Sequence, residues 1–224
     1  MNESKFYVVF FLFLKQKMSL LKIHFLILIQ LLSCNKKPDQ IQKKDTHKIS
    51  STDYSTYHSQ AETFCKENNF NQNYYYLIDL SIHSGKNRFF IYDFKSKKII
   101  NENLVTHGSC DVKSPNATKW EKAKFSDEND SHCSSLGKYK IGKRDYSSWG
   151  IKIKYWLHGL DSTNRNAVKR VVVLHSWEAV SDTEIYPEYS PISWGCPAVS
   201  DSFMKILDTQ LKISKQPVLL WIIK

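Results

Sequence analysis

The chain has 224 residues, of which 42% are hydrophobic and 24% are charged. Because domains usually contain about 100–200 residues, this length predicts one folded domain with an N-terminal appendage. Lys and Arg number 32 against 22 Asp and Glu, a net charge of +10 that suits contact with anionic polymers or lipid head groups. No nucleic-acid-binding motif accompanies this charge, so we expect no nucleic-acid partner.

Two apolar stretches, residues 6–14 and 23–32, are separated by lysines near the N-terminus. Each is shorter than the roughly 20 residues that cross a bilayer, so they predict a secretory signal over residues 1–33, with a possible start at Met18. A small residue precedes Cys34, as in bacterial lipoprotein signals. We expect Cys34 to be lipidated and to anchor an exported protein in the bacterial cell envelope, in the periplasm or on the outer surface. An ordinary signal peptide and a loosely anchored helix remain alternatives.

The next segment, residues 34–59, is polar with almost no apolar periodicity, and it predicts a flexible tether. Residues 60–224 form the predicted folded domain. Ala61, Phe64 and Cys65 have the spacing of the inner side of a short helix.

Short strand-like runs follow, separated by turn-forming residues. They cover residues 74–80, 88–93, 98–100, 104–107, 137–142, 151–160, 170–175 and 217–223. A polar segment, residues 111–135, predicts a long surface excursion. Apolar residues at helical spacing predict a helix over 200–211, with Ser200 or Asp201 as its N-cap. The pattern therefore predicts a mainly β domain with one or two packed helices.

Four cysteines remain besides Cys34, and they allow three pairings, among them Cys110 with Cys133 and both others free. A zinc site is the alternative for this region, with ligands His107, Cys110, His132 and Cys133. Since His132 and Cys133 are sequence neighbours rather than a spaced ligand pair, we expect no metal.

The sequence Ser193-Trp194-Gly195-Cys196-Pro197 follows an apolar strand that ends at His175. A thiol in a glycine-containing turn and an imidazole on a rigid strand are what cysteine acyl transfer requires. His175 can take the proton and Cys196 can attack. Because Pro197 has no N–H, the oxyanion donors must come from residues 194–196.

A histidine at a strand end, 17 intervening residues and Ser-x-Gly-Cys closely resemble the signature of the L,D-transpeptidase (YkuD-type) catalytic family. The resemblance extends over residues 74–224 to the murein L,D-transpeptidase branch. The segments that carry it are Thr106-His107-Gly108, Ser134-Ser135-Leu136-Gly137, Gly159-Leu160-Asp161 and Asn164-Arg165-Asn166-Ala167.

The resemblance implies a β-sandwich-like catalytic domain without a cofactor. It implies Cys196 as nucleophile, His175 as base, and Ser193 and Gly195 as motif supports. The residues expected to contact substrate are His107, Ser135, Arg165, Arg170 and Trp194. Two features depart from the family pattern: Ser176 replaces a frequent glycine, and residues 197–199 lack a frequent arginine.

In this family the cysteine attacks a tetrapeptide stem of peptidoglycan before its terminal D-alanine, and an amine accepts the acyl group. With water as acceptor the product is that of an L,D-carboxypeptidase. A wall-binding lipoprotein without catalytic activity is the third possibility, suggested by the two departures.

Overall fold

The computed structural model describes residues 53–112 and 115–224. The predicted signal over residues 1–33, Cys34 and most of the predicted tether therefore lie outside the described residues. The elements in chain order are α1 (Ser55–Glu67), β1 (Tyr74–Asp79), β2 (Phe89–Asp93), β3 (Lys98–Asn103), β4 (Gly137–Tyr146), β5 (Ile153–Gly159), β6 (Val173–Ser176), β7 (Ala198–Val199), α2 (Asp201–Ile213) and β8 (Leu219–Ile223). Among these residues, neither helix is long and apolar enough to cross a bilayer.

The strands of the described residues all belong to one eight-stranded sheet in the order β3-β2-β1-β8-β4-β5-β6-β7. Most neighbours are antiparallel, but β1 pairs with β8 and β6 pairs with β7 in parallel. The part of the chain that the structure describes is mainly β with two helices, which confirms the predicted fold class.

The central strands β1 and β8 are buried on both faces of the sheet. Because successive side chains of a strand point to opposite faces, each strand supplies two hydrophobic clusters. One cluster contains Tyr76, Ile78, Leu220 and Ile222 and packs against α2. The other contains Tyr75, Leu77, Leu219 and Trp221 and packs against α1.

Helix α1 begins at Ser55, within the range 34–59 for which the sequence predicts a tether. Its buried side is formed by Ala61 and Cys65, both 0% exposed, and Cys65 is a free thiol. Burial raises the pKa of the Cys65 thiol to about 12, so this cysteine is a small hydrophobic core residue.

Helix α2 begins where the sequence predicts it. The Ser200 hydroxyl accepts a hydrogen bond from the Phe203 N–H at 3.3 Å and forms the N-cap. Phe203, Met204 and Leu207 are buried against the sheet. This helix directly follows β7, which pairs with β6.

One predicted strand is wrong. Residues 104–107 lie outside the named strands, although Leu104 and Val105 are both fully buried. The Thr106 N–H donates to the Ala198 carbonyl at 2.9 Å. The apolar run reflects the burial of Leu104 and Val105 rather than pairing over a full strand.

Candidate active site

The turn that carries Cys196 is closed by the side chain of Ser193. The Ser193 hydroxyl donates to the Cys196 carbonyl at 2.7 Å and accepts from the Gly195 N–H at 3.1 Å. Gly195 has a φ of +105°, and a Cβ at this position would lie 2.5 Å from the Cys133 carbonyl oxygen. Only glycine fits here, because the backbone conformation and the close approach both exclude a side chain.

The segment Thr106–Ser109 supports this turn. The Thr106 hydroxyl donates to the Cys196 carbonyl at 3.0 Å and accepts from the Ala198 N–H at 2.9 Å. The Ser193 N–H donates to the His107 carbonyl at 2.8 Å, and the Ser109 N–H donates to the Ser193 carbonyl at 2.9 Å. These bonds fix the backbone on both sides of the cysteine.

The His175 ring is oriented by a backbone carbonyl. Its Nδ1 lies 2.9 Å from the Ser176 carbonyl oxygen. Since a carbonyl can only accept, Nδ1 carries the proton and Nε2 presents a lone pair. That is the tautomer a general base needs.

Ser176 is fully buried, and its hydroxyl accepts the Ile151 N–H at 3.0 Å. The serine that replaces the frequent family glycine therefore attaches the 149–151 loop to the histidine strand. A Cβ on Gly150 would lie 2.1 Å from the Ser176 hydroxyl oxygen and 2.5 Å from its carbonyl oxygen. The loop thus packs directly against the carbonyl that orients His175.

Both reactive groups line one open cavity of about 410 Å³. Its lining residues are Trp149, His175, Trp177, Ile192, Ser193, Trp194 and Cys196. The cavity brings together four residues that the sequence singles out: His175, Ser193, Trp194 and Cys196.

Three lining residues were not predicted from the sequence. Trp177 lies two positions after His175, so strand alternation would have placed it on the same face. Trp149 and Ile192 reach the cavity from loops, and no local signal identifies them. The Trp149 and Trp177 rings pack edge to face with centroids 5.6 Å apart.

Burial shifts the pKa values of the reactive pair in opposite directions. It raises the pKa of the Cys196 thiol, although a hydrogen bond from the Val173 N–H and the charges of Arg170 and Lys154 oppose the shift. It lowers the pKa of His175, opposed by the bond to the Ser176 carbonyl. Both effects favour a neutral thiol and a neutral imidazole in the resting site, where the Cys196 thiol donates to the Val171 carbonyl at 3.6 Å.

Arg170 has a side chain that is only 4% exposed, and it forms an ion pair with Asp127 at 3.5 Å. Its guanidinium also donates to the Ser126 carbonyl at 3.0 Å, the Cys133 carbonyl at 2.6 Å, the Ser131 hydroxyl at 3.3 Å and the Ser135 hydroxyl. These contacts hold the 126–135 loop against the cysteine turn. A substrate contact of the kind expected for Arg170 or Ser135 would have to displace them.

His107 is 1% exposed and does not line the cavity. Its Nδ1 accepts from Arg88 at 2.9 Å, so its Nε2 carries the proton and donates to the Lys119 carbonyl at 2.7 Å. Two causes lower the pKa of His107 to about 4: burial is the larger, and the charge of Arg88 is the smaller. Neither ring nitrogen of His107 is therefore free to make the expected contact with substrate.

Arg165 is exposed on the 161–170 turn and donates to the Ser162 carbonyl at 3.4 Å. It does not line the cavity. Trp194, by contrast, lines the cavity and is 75% exposed. Its indole stacks on His132 with centroids 4.4 Å apart and planes 3° apart.

Cys110 and Cys133 form a disulfide, and Cys196 is free. The disulfide takes up both sulfurs of the zinc alternative, so these cysteines are not available as thiolate ligands. Within residues 53–112 and 115–224, no group of three or more His, Cys, Asp or Glu has the arrangement of a metal site.

Comparison with solved structures returns proteins of low sequence identity. Bd1075 of Bdellovibrio bacteriovorus is 16% identical with a TM-score of 0.43, and the match covers 69% of this chain and 49% of that chain. The helical cell shape determining protein Pgp2 of Campylobacter jejuni is 11% identical with a TM-score of 0.41, covering 74% and 55%. An L,D-transpeptidase from Xylanimonas cellulosilytica is 9% identical with a TM-score of 0.37, covering 71% and 68%. The chain thus spans about half the length of Bd1075.

The comparison with curated proteins finds no match. The family comparison matches the L,D-transpeptidase catalytic domain over residues 47–221, which includes every described strand and helix except the last residues of β8. The family resemblance read from the sequence is therefore confirmed. The chain belongs to the L,D-transpeptidase catalytic domain family.

Proposed function

We propose that this protein is a cysteine acyltransferase that cleaves the L,D bond of peptidoglycan tetrapeptide stems and transfers the acyl group to an amine. The observation that carries the proposal is that Cys196 and His175 line the same open cavity. The hydrogen bond between the His175 Nδ1 and the Ser176 carbonyl supports it, because it leaves Nε2 free to act as a base. Membership of the family supports the substrate class.

In the first step, His175 Nε2 takes the thiol proton while the Cys196 sulfur attacks the carbonyl carbon of the third stem residue. The oxyanion needs N–H donors, and the Gly195 N–H already donates to the Ser193 hydroxyl. The N–H groups of Trp194 and Cys196 are therefore the donors for the oxyanion.

The intermediate collapses when the carbon–nitrogen bond to the terminal D-alanine breaks. The imidazolium returns its proton to the leaving amine, and a thioester on Cys196 remains. An acceptor amine then attacks the thioester carbonyl carbon and forms the new amide bond. His175 takes the proton of the amine and returns it to the departing Cys196 sulfur, which regenerates the thiol. No cofactor takes part in either half-reaction.

The test is to incubate the purified chain with tetrapeptide muropeptides and to analyse the products by mass spectrometry. Cross-linked dimers that have lost D-alanine support transfer to an amine. Trimmed tripeptides alone would show water as acceptor and would replace the transferase with a carboxypeptidase. The Cys196→Ala variant is the control, and activity retained in that variant would remove Cys196 from the mechanism.

A carbapenem separates the enzyme from an inactive wall-binding protein, because it resembles an acylating substrate of this family. We expect a mass increase on the intact protein that is lost in Cys196→Ala. An unchanged mass, together with no product from muropeptides, would contradict catalysis.

We propose further that the protein is exported and anchored through a lipid on Cys34. The signal-like sequence before Cys34 and the Cys110–Cys133 disulfide support export, because disulfides form in oxidising compartments. Radiolabelled palmitate should be incorporated into the wild type in cells and not into Cys34→Ser. Equal labelling of both would refute the anchor.

A further inference from the structure

A lysine side chain lies beside the catalytic histidine on the sheet. Lys154 of β5 pairs directly with His175 of β6 in antiparallel register, and Asp145 of β4 is its partner on the other side. Side chains of directly opposed residues point to the same face of a sheet. Lys154 and His175 therefore share one face.

The neighbouring pair identifies that face. Tyr155 and Leu174 are paired one residue along, and both belong to the hydrophobic cluster that packs against α2. Alternation then directs Lys154 and His175 away from this core. Trp177, two residues after His175, lines the cavity on the same side.

The Lys154 ammonium forms no ion pair among the described residues, although its charge, after the hydrogen bonds from Trp156 and Tyr146, helps to lower the pKa of Asp145. Its Nζ lies 5.1 Å from the centroid of the Trp156 ring, and no carboxylate of residues 53–112 or 115–224 is within ion-pair distance of it. The nearby carboxylate of Asp145 accepts from the Trp156 indole N–H at 3.0 Å and from the Tyr146 N–H at 2.8 Å. The three N–H donors of Lys154 are thus left for a ligand.

The other cations of this region are less suited to such a ligand. Arg170 is buried and bonded to protein acceptors, and Arg165 lies on an exposed turn, whereas Lys154 is the direct cross-strand neighbour of His175. Among the described residues, none of those that line the cavity is Lys, Arg, Asp or Glu, so a cation for the substrate must come from a residue beside it. The charge of Lys154 also acts on the pKa values of both His175 and Cys196, which agrees with its place beside them.

We propose that Lys154 binds the free carboxylate of the terminal D-alanine of the stem peptide. This inference rests on the proposed function, because that substrate places a carboxylate one residue beyond the bond that Cys196 attacks. An ammonium beside the catalytic pair, with its donors free, forms a charge-assisted hydrogen bond with this carboxylate and orients the scissile bond.

The experiment compares two peptides, one ending in D-alanine and one ending in D-alanine amide. The ratio of their kcat/KM values is the readout, because it cancels any general effect of a variant on thiol reactivity. We expect the wild type to prefer the acid by about tenfold or more, the usual value of a hydrogen bond to a charged group. Lys154→Met should bring the ratio close to one, and Lys154→Arg should retain most of the preference.

Lys140→Met is the matched control. This lysine is half-buried on β4 opposite His158, and His158 lies four residues, about 13 Å, along β5 from Lys154. The control should keep the wild-type ratio. An unchanged ratio in Lys154→Met, with the wild type active on the acid, would overturn the role of Lys154 alone. A wild type inactive on both peptides would instead overturn the proposed function.

Discussion

Replacing Arg170 by methionine should destabilise the protein severely, although Arg170 is not among the residues that line the cavity. The substitution keeps the length and apolar character of the stem but removes the guanidinium. Asp127, whose side chain is 12% exposed, would lose its ion-pair partner, and the Ser126 and Cys133 carbonyls would lose their donor.

Removing one member of a buried ion pair costs about 3–5 kcal/mol, since it leaves an uncompensated charge. We therefore expect Arg170→Met to lower the free energy of unfolding by about 4 kcal/mol, a large share of the 5–15 kcal/mol typical of domains. In a domain of this size, Tm should fall by about 10 °C. Urea denaturation followed by tryptophan fluorescence measures the first quantity, and calorimetry measures the second.

Two further variants make the reasoning refutable. Arg165→Met removes an exposed arginine with one long hydrogen bond to protein and should change stability by less than about 0.5 kcal/mol. Adding Asp127→Asn to Arg170→Met removes the unpaired charge and should restore about 1–2 kcal/mol. Equal losses in Arg165→Met and Arg170→Met, or no recovery in the double variant, would show that the buried pair is not the cause.

Three other measurements follow from the site and its surroundings. Alkylation of Cys196 by iodoacetamide should rise with pH through an inflection above the ordinary thiol value of about 8.5, because burial raises its pKa; an inflection near 6 would indicate a resting thiolate instead. Gly150→Ala should reduce kcat by about tenfold or more by displacing the Ser176 carbonyl, and an unchanged kcat would contradict the orienting role of that carbonyl. His107, with its pKa lowered to about 4, is neutral in the fold, so its contribution is complete above pH ~6.5 and lost as pH falls towards 4. Over this range the wild type should therefore lose about 3 kcal/mol more stability than His107→Gln in denaturation measurements; equal losses would assign the effect to other groups.

The site was predictable as far as its chemistry is local. Cys196, Ser193 and Gly195 lie in one turn. The thiol, the hydroxyl and the glycine that can adopt a positive φ are therefore all visible in five consecutive residues of the sequence. His175 is separated from them in sequence, and it was assigned from its place at the end of an apolar strand together with the family spacing. The parallel pairing of His175 with Ala198 brings the two strands together in space.

The sequence was less informative where a residue type has several uses. Arg170 and His107 have the residue types of substrate contacts, yet both are buried and bonded to backbone carbonyls in the fold. Residues 104–107 have the apolar pattern of a strand because they are buried, while their hydrogen bonds support the cysteine turn instead. The sequence shows whether a residue is apolar or charged, but its neighbours in the folded structure decide what it contacts.

By itself, the sequence determined the mainly β class and the family, and it predicted one or two helices, an N-cap at Ser200 or Asp201, and Cys196 and His175 as the candidate catalytic pair, because periodicity, capping and a compact motif are properties of neighbouring residues. The tertiary structure alone decided the sheet order, the tautomer of His175, the tryptophan-lined cavity and the place of Lys154 beside the histidine. These features depend on which strands pair and in which register. Paired strands are often far apart along the chain, so no short stretch of sequence shows which segments will pair.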